Sequence, residues 1–333
     1  MTPIHCSFQN SLVEISIVSL LILEFAVGLL GNAIALWTFI SHLKVWKPYA
    51  VYLFNLVIAD LLLSVCLPFQ ISFYLMHKKW ELGPAACRTL IFLLSLSRTS
   101  GIAFLTAVAM DRYLRVVHPH FKINSFSTKA AKIISAFIWL LVVGLVHPSL
   151  WAPKIEKNAT ECPSFSPMED LTLGNIWQEA VICLQFLLPF SLILFCNIRI
   201  IKRLQQRLLD QDKQPKLQRS MALVTVVVVF FGICFLPNFL ARTLMAIFQT
   251  SENCQVLQVM VHTCDITNSL TYLNSVLNPV VYCFSNPVFR YSYRKVFSTL
   301  RGRQRELQPQ GLDGKDSCHT VESPGLHVKR TRV

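Results

Sequence analysis

Seven long apolar stretches constrain the fold of this chain more than any other feature. They cover residues 13–40, 49–76, 85–117, 130–151, 177–208, 216–248 and 257–284. Each is long enough to cross a bilayer as a helix, which takes about 20 residues. Because a helix satisfies its own backbone hydrogen bonds in lipid, the sequence predicts an all-α membrane protein with a bundle of seven transmembrane helices. Only 15% of the residues are charged, compared with about a quarter in soluble domains.

The basic residues, which give the chain a net charge of +13, lie mostly on one side of this bundle. The two largest groups follow helices five and seven: Lys202, Arg203, Arg207, Lys213, Lys216 and Arg219, then Arg290, Arg294, Lys295, Arg301, Arg303 and Arg305. Because positive loops stay in the cytoplasm, this asymmetry predicts an extracellular N-terminus and a cytoplasmic C-terminus. Membrane lipids with anionic headgroups, and not nucleic acid, are therefore the expected partners of the basic excess.

Four segments follow from this topology. Residues 1–12 form an extracellular N-terminus, and residues 13–284 form the bundle. Residues 286–300 place apolar side chains among arginine and lysine, which predicts an amphipathic helix on the inner leaflet. Residues 301–333 are polar and are predicted to form a disordered cytoplasmic tail.

One charged residue, Arg98, lies in the middle of the third apolar stretch. A lone arginine at this depth costs about 2.5–3.5 kcal/mol on insertion scales, so it must face a polar cavity or an anion. Its guanidinium can hold a carboxylate through two parallel hydrogen bonds. An anion-binding cavity is therefore the first functional hypothesis, with Arg242 on helix six and Arg88 at the mouth as further ligand-binding candidates. The alternative is an internal ion pair of Arg98 with Glu24, Glu179 or Asp265.

Cysteines on the outer side of the membrane can oxidise to disulfides. These are Cys6, Cys87, Cys162 and Cys254, with Cys264 near the outer end of helix seven. Spacing alone does not assign their connectivity. The tripeptide Asn158-Ala159-Thr160 on the same side is a glycosylation sequon, so Asn158 is a predicted glycosylation site.

A series of polar residues and prolines runs through the seven stretches in a fixed order. It comprises Gly31-Asn32, Asn55 to Asp60, Asp111-Arg112-Tyr113, Trp139, Pro189, Cys234-Phe235-Leu236-Pro237 and Asn278-Pro279-Val280-Val281-Tyr282. This order resembles the rhodopsin-like G-protein-coupled receptors over about residues 13–300. The helix prolines each remove a hydrogen bond and kink their helix, which provides hinges at mid-membrane.

The resemblance implies an activation switch made of Asp111, Arg112, Tyr113, Phe235, Pro237, Asn278, Pro279 and Tyr282. In such receptors Arg112 would pair with Asp111 at rest and meet a heterotrimeric G protein when helix six swings outward. Helix six begins with Lys216-Leu217 and lacks the acidic residue that some relatives use as a second lock. A loose inactive state with some basal activity is therefore expected. Phe235 stands where many relatives carry tryptophan.

A polar core around Asp60 is a second implication of the resemblance. Its expected partners are Asn32, Asn274, Ser275 and Asn278, and in the family such a cluster holds a sodium ion. Gly101 stands where the family often has serine, which weakens the ion site. A hydrogen-bond hub without an ion is the alternative, and no other metal or cofactor is expected.

With this topology two disulfides are expected. One joins Cys87 to Cys162, for which the alternative is a pair of free thiols. The other joins Cys6 to Cys254, for which Cys264 is the competing partner.

Longer segments are similar to one branch of these receptors, the hydroxycarboxylic-acid and oxo-eicosanoid receptors. They are Trp37, Lys47 to Leu53, Asp111 to Pro119, Trp177 to Ala180 and Tyr272 to Pro279. In that branch an arginine in the middle of helix three anchors the ligand carboxylate, and Arg98 stands at the matching place. The resemblance implies a plasma-membrane receptor for a carboxylate lipid such as a hydroxy-eicosanoid. It also implies coupling to inhibitory (Gi/o) G proteins, with arrestin and receptor kinases as further partners.

Three alternatives stand beside this interpretation. A receptor for small hydroxy or keto acids such as lactate or pyruvate has the same anchor, because the sequence does not set the length of the pocket. An intramembrane enzyme is disfavoured, since the sequence has neither His-Glu-x-x-His nor Gly-x-Ser-x-Gly. A transporter is disfavoured by the lack of paired, broken repeats. No catalytic residue is therefore expected.

Overall fold

The computed structural model describes residues 10–118, 127–151, 162, 173–207, 214–248 and 253–306. In these residues the chain forms nine α-helices: α1 (Ser11–Ser41), α2 (Pro48–Leu75), α3 (Gly83–Val117), α4 (Thr128–Val146), α5 (Leu173–Arg207), α6 (Gln214–Phe248), α7 (Cys254–Leu270), α8 (Leu273–Ser285) and α9 (Pro287–Glu306). A short 3₁₀ helix, His147–Trp151, continues α4. Helices α1 to α6 are long and apolar enough to cross a membrane.

The seventh apolar stretch, predicted as one helix over residues 257–284, is two helices in the structure. The regular helix is interrupted between α7 and α8. There the N–H of Thr271 donates to the carbonyl of Asn268 at 3.1 Å, and the N–H of Tyr272 donates to the carbonyl of Ser269 at 3.0 Å. The Thr271 hydroxyl also donates to the carbonyl of Asn268 at 2.6 Å. Bonds of this spacing tighten the backbone and interrupt the regular helix.

Short local signals set where several helices begin. The side chain of Asn10 accepts the N–H of Leu12 at 3.1 Å ahead of α1, and that of Asn253 accepts the N–H of Gln255 at 3.0 Å ahead of α7. Pro48 occupies the first turn of α2, where its missing N–H costs nothing. The helix ends thus follow from residues that satisfy otherwise unpaired backbone donors.

The outer faces of the helices are apolar. On α4 the exposed fractions of Ile133, Phe137 and Leu140 are 71%, 65% and 73%, which suits contact with lipid tails and not water. Helix α2 lies inside the bundle and packs against α1, α3 and α4. Four of the helices contain an internal proline: Pro68 in α2, Pro189 in α5, Pro237 in α6 and Pro279 in α8.

Helices α1 and α8 approach each other closely at one point. A Cβ atom placed on Gly31 would lie 2.7 Å from Cγ of Pro279, so only glycine fits there. Pro279 has no N–H to offer the carbonyl of Ser275, four residues earlier. The side-chain amide of Asn32 donates to that carbonyl instead, at 3.0 Å. Gly31 therefore provides the space that the Pro279 ring needs, and Asn32 provides the hydrogen-bond donor that the proline lacks.

The chain divides into two compact units, residues 1–293 and 294–333. In the first unit, the start of α9 is tied to the bundle: the Tyr293 hydroxyl donates to the carbonyl of Gly31 at 2.7 Å, and the ring centroids of Phe289 and Phe39 lie 4.7 Å apart. Of the second unit the structure describes residues 294–306, which are helical. The helix predicted over residues 286–300 therefore extends to Glu306, and the rest of the predicted tail lies outside the described residues.

Candidate anion-binding site and polar core

Arg98 lies on α3, and its guanidinium faces the break in the seventh span. Its Nη2 donates to the hydroxyl of Tyr272 at 3.3 Å, and its Cζ lies 5.2 Å from the centroid of the Tyr272 ring. The Nε of Arg98 is buried and has no hydrogen-bond partner among the described residues. A phenol hydroxyl is neutral, so this contact does not neutralise the positive charge.

The acids considered as internal partners of Arg98 have other surroundings. Asp265 on α7 pairs with Lys78, whose Nζ lies 2.6 Å from Oδ2. Glu24 on α1 is 1% exposed, and neither of its carboxyl oxygens has a hydrogen-bond partner among the described residues. The side chain of Glu179 lies outside the described part of the chain. Among the described residues, the hydrogen-bond partner of Arg98 is thus Tyr272 and not one of the predicted acids.

The other two ligand-binding candidates are arginines on α6 and α3. Arg242 lies within range of electrostatic interaction with Arg98, so two positive charges share one region of the bundle. Arg88 follows Cys87 near the outer end of α3, and its Nε is buried without a hydrogen-bond partner among the described residues. Like charges held in one region favour an anion between them.

A small cavity connects Arg98 to the polar core. It is lined by residues of α2, α3, α6 and the α7–α8 region: Asp60, Leu63, Ser97, Arg98, Gly101, Phe235, Thr271, Tyr272, Asn274 and Ser275. About 10 Å³ of it is open to the centre of a water molecule, which is room for one water or one small ion. This cavity is therefore too small for an acyl chain unless side chains move.

Asp60 is 1% exposed and lies at the centre of a network between α1, α2 and α8. Its carboxylate accepts hydrogen bonds from the Ser275 hydroxyl at 2.7 Å, from the Asn278 amide at 2.9 and 3.1 Å and from the Tyr282 hydroxyl at 3.0 Å. The same hydroxyl lies 3.3 Å from Oδ1 of Asn32. Three residues that were predicted for the polar core or the switch thus bond to one carboxylate, and Asn32 joins them through Tyr282.

The C-terminal end of α3 departs from the expected pairing. Asp111 is paired with Arg115, whose Nε donates to its two carboxyl oxygens at 3.1 and 3.0 Å. Arg112 instead lies over the ring of Tyr49, with 4.2 Å from its Cζ to the ring centroid. The hydroxyl of Tyr113 lies 3.1 Å from Nε2 of His118. The predicted resting pair of Arg112 with Asp111 is therefore replaced by two other contacts, because Arg115 is one helical turn from Asp111 on the same face.

Phe235 links the cavity to the kink at Pro237. It lines the cavity, and its ring centroid lies 4.8 Å from that of Phe231. Phe231 belongs to a stack of rings from α5 and α6, with interplanar angles between 12° and 21°, that contains Phe186, Phe190, Phe231 and Phe239. Such a stack transmits displacement, since it leaves little free space between the two helices.

The structure contains the disulfide between Cys87 and Cys162, with a Cα–Cα distance of 5.9 Å. It ties the outer end of α3 to the loop between α4 and α5. Cys254 is disulfide-bonded, and Cys264 carries a thiol. Cys6 and Asn158 lie outside the described residues, so the second predicted disulfide and the glycosylation site stay predictions.

Three residues of this site were not predicted from the sequence: Tyr272, Tyr49 and Lys78. A tyrosine in an apolar helix has no distinctive pattern, because its ring suits a core, a lipid face or an interface. Lys78 had a signal, since a lysine next to a helix end can reach an acid on a neighbouring helix, but nothing in the sequence pointed to Asp265.

The sequence of this chain is similar to those of known proteins. The family model described as 7 transmembrane receptor (rhodopsin family) matches residues 31–282. The chain is 56% identical to the 12-(S)-hydroxy-5,8,10,14-eicosatetraenoic acid receptor of Homo sapiens, over 94% of this chain and 98% of that receptor. It is 51% identical to the receptor of the same name from Mus musculus, over 95% and 99%. It is 40% identical to hydroxycarboxylic acid receptor 3 of Homo sapiens, over 96% of this chain and 81% of that receptor.

Proposed function

Because this chain belongs to the rhodopsin family of seven-transmembrane receptors, we propose that it binds a carboxylate lipid at Arg98 and signals through an inhibitory (Gi/o) G protein. Membership of this family makes it a multi-pass membrane receptor and not an enzyme. A small-molecule or lipid ligand and a heterotrimeric G protein are accordingly its partners.

The observation that carries the ligand site is the poor pairing of Arg98. Its one hydrogen bond within the described part of the chain goes to the neutral hydroxyl of Tyr272, and its Nε has no partner there. A carboxylate stabilises a guanidinium in a membrane bundle far better than a phenol does, because both groups are charged and two N–H groups can bond at once. Arg242 adds a second positive charge in range of the same anion.

The proposed ligand class rests on the names of two similar receptors. The receptors that share 56% and 51% identity with this chain are named for 12-(S)-hydroxy-5,8,10,14-eicosatetraenoic acid, and we propose a hydroxy-eicosanoid of that kind here. A long chain buries many methylenes, each worth about 0.8 kcal/mol. The small cavity beside Arg98 must then widen, as binding sites often do when side chains rearrange.

Small hydroxy or keto acids, such as lactate or pyruvate, are the second candidate. The cavity beside Arg98 has room for only a small group, and the chain is also 40% identical to hydroxycarboxylic acid receptor 3. An acid with so few atoms has few apolar contacts and binds weakly. Ligand length therefore separates the two candidates.

The proposed orientation places the N-terminus outside the plasma membrane and the C-terminus in the cytoplasm. The basic groups that follow helices five and seven support it, and so does the disulfide at the opposite end of the bundle, since disulfides persist in oxidising surroundings. Arrestin and receptor kinases are proposed as cytoplasmic partners by analogy with the family.

We also propose an allosteric sodium ion at Asp60. The carboxylate borders a cavity of about the size of one ion, and the cavity wall includes the oxygen-bearing side chains of Ser97, Asn274 and Ser275. Oxygen ligands with one negative charge suit a small, hard cation. Asp60 would hold the ion, and the neutral oxygens would complete its shell. Bound sodium would stabilise the resting arrangement of the core.

A panel of ligands in a G-protein activation assay tests the proposal. The panel contains 12-(S)-hydroxyeicosatetraenoic acid, its methyl ester, arachidonic acid, lactate and pyruvate. The expected result is a response to the hydroxylated acid at nanomolar concentration, none to the ester, and loss of the signal under pertussis toxin. Equal responses to acid and ester would contradict the carboxylate site. A response only to the short acids would favour the second candidate.

A further inference from the structure

The guanidinium of Arg112, at the cytoplasmic end of α3, lies on the face of an aromatic ring. Its Cζ is 4.2 Å from the centroid of Tyr49, inside the roughly 6 Å range of cation–π attraction. Its Nε and Nη2 are buried and have no hydrogen-bond partner among the described residues. Tyr49 is therefore a close contact of this charge, through the face of its ring and through its hydroxyl.

The neighbouring acid is directed to a different arginine. Both carboxyl oxygens of Asp111 accept the Nε of Arg115, at 3.1 and 3.0 Å. The two residues are four positions apart on α3, with the acid first, which is the favourable order for a helical ion pair. Asp111 still attracts Arg112 electrostatically, but the hydrogen bonds that it accepts come from Arg115.

Tyr49 is held in place by the start of α2. Pro48 opens the helix with a fixed backbone angle, and the N–H of Ala50 bonds to the carbonyl of Lys47 at 2.9 Å. Ala50 itself is only 3% exposed, so the first turn is packed against the bundle. Because the backbone of this turn is already fixed, the Tyr49 ring loses little conformational entropy when it packs against the guanidinium.

We infer that Tyr49 is a positioning residue that holds Arg112 in its resting place and so limits ligand-independent activation of the G protein. The inference rests on the proposed coupling to a G protein. The start of α6 has Lys216-Leu217 and no acid, so the resting contact lies between α2 and α3. Activation then requires Arg112 to leave the ring, and the free energy of this contact sets the basal activity.

Four variants in purified receptor, with guanine-nucleotide exchange on a purified Gi/o heterotrimer as the readout, test this role. Tyr49→Leu removes the aromatic face, and ligand-free exchange is expected to rise about threefold to tenfold. Tyr49→Phe keeps the face and loses only the hydroxyl contact, so its rise is expected to be smaller than that of Tyr49→Leu. Arg115→Ala releases Asp111 to pair with Arg112 and is expected to lower ligand-free exchange. In the double variant Tyr49→Leu with Arg115→Ala, the rise is expected to be reversed.

The comparison is made on equal amounts of monomeric receptor, with and without 12-(S)-hydroxyeicosatetraenoic acid. A rise with leucine that exceeds the rise with phenylalanine and is reversed by Arg115→Ala supports the role, because a purely structural defect would not be rescued by a second substitution. Ligand-free exchange of Tyr49→Leu at or below the wild-type level overturns it, as does an equal rise with phenylalanine. The measurements with ligand test the proposed function separately. If the wild-type receptor does not respond to the acid, the proposed ligand class is contradicted. The role of Tyr49 is then still decided by the ratio of ligand-free exchange between variant and wild type.

Discussion

Arg98 on α3 donates a hydrogen bond of 3.3 Å to Tyr272, which lies at the break between α7 and α8. The proposed ligand anchor is thus joined to the least regular point of the seventh span. A carboxylate that captures Arg98 changes the contacts of this break. The break is followed within a turn by Ser275, which bonds to Asp60 at 2.7 Å, so anchor, break and polar core form a continuous path.

Removal of the Tyr272 hydroxyl tests this connection. In Tyr272→Phe, Arg98 loses its acceptor, and the ligand-free receptor is expected to lose about 1.5–3 kcal/mol, the usual range for a hydrogen bond to a charged group. The ligand carboxylate then bonds to an Arg98 that has lost the Tyr272 hydroxyl. The ligand-induced rise in melting temperature should therefore exceed that of the wild type. Thermal unfolding with and without 12-(S)-hydroxyeicosatetraenoic acid measures both. Tyr291→Phe, at a residue that is 62% exposed, is the control, and an unchanged ligand effect in Tyr272→Phe would argue against the connection.

The contact between α1 and α8 predicts that Gly31 tolerates no side chain. In Gly31→Ala the new Cβ would lie 2.7 Å from Cγ of Pro279, and overpacking of this kind costs about 1–3 kcal/mol. A lower melting temperature and less receptor at the cell surface are expected. Gly144→Ala is the matched control, because a Cβ there meets nothing within 4 Å. Equal behaviour of the two variants would show that the helices separate at little cost.

The proposed sodium ion predicts a cation-specific effect at Asp60. In the wild type, sodium is expected to lower agonist potency relative to choline at the same ionic strength, because the ion favours the resting core. Asp60→Asn keeps the shape of the side chain and removes its charge, so the difference between the two salts should disappear. Dose–response curves in the two salts measure this. A sodium effect of wild-type size in Asp60→Asn would remove Asp60 from the ion site.

The pair of Lys78 and Asp265 predicts a stability contribution at the outer end of the bundle. Asp265 is 5% exposed at its side chain, so Lys78→Ala removes the ion-pair partner of a buried carboxylate, at a cost of about 3 kcal/mol. The exchange variant Lys78→Asp with Asp265→Lys should recover part of the melting temperature that either single change loses. Lys79→Ala, at an exposed neighbour, serves as control. If the melting temperature does not recover in the exchange variant, the loss comes from packing and not from the ion pair.

The fold and the charged part of the site could be predicted because the bilayer penalises certain residues strongly. Arg98 and Asp60 stand out in apolar stretches whatever their neighbours are. The prolines and Asn32 could be assigned by resemblance, and Asn32 proves to serve the carbonyl that Pro279 leaves free. The pair of Asp111 and Arg115 also had a readable spacing, although the resemblance drew attention to Arg112 instead.

The aromatic partners and the helix break could not be predicted in this way. Tyr272 and Tyr49 differ from other tyrosines only by which charge lies over their rings, and that depends on the packing of separate helices. The break is decided by backbone bonds at Thr271 and Tyr272, each worth about 1 kcal/mol net. Differences of this size are too small for an apolar pattern to reveal.

The dose–response curve of Arg98→Ala, with surface expression measured in the same cells, tests the central claim most directly. Loss of a desolvated, charge-assisted contact costs about 2–5 kcal/mol, so potency for 12-(S)-hydroxyeicosatetraenoic acid should fall by at least about 30-fold. Surface expression should stay close to that of Arg203→Ala, a control on the exposed cytoplasmic end of α5. A full-strength, wild-type curve from Arg98→Ala would show that the carboxylate is held elsewhere.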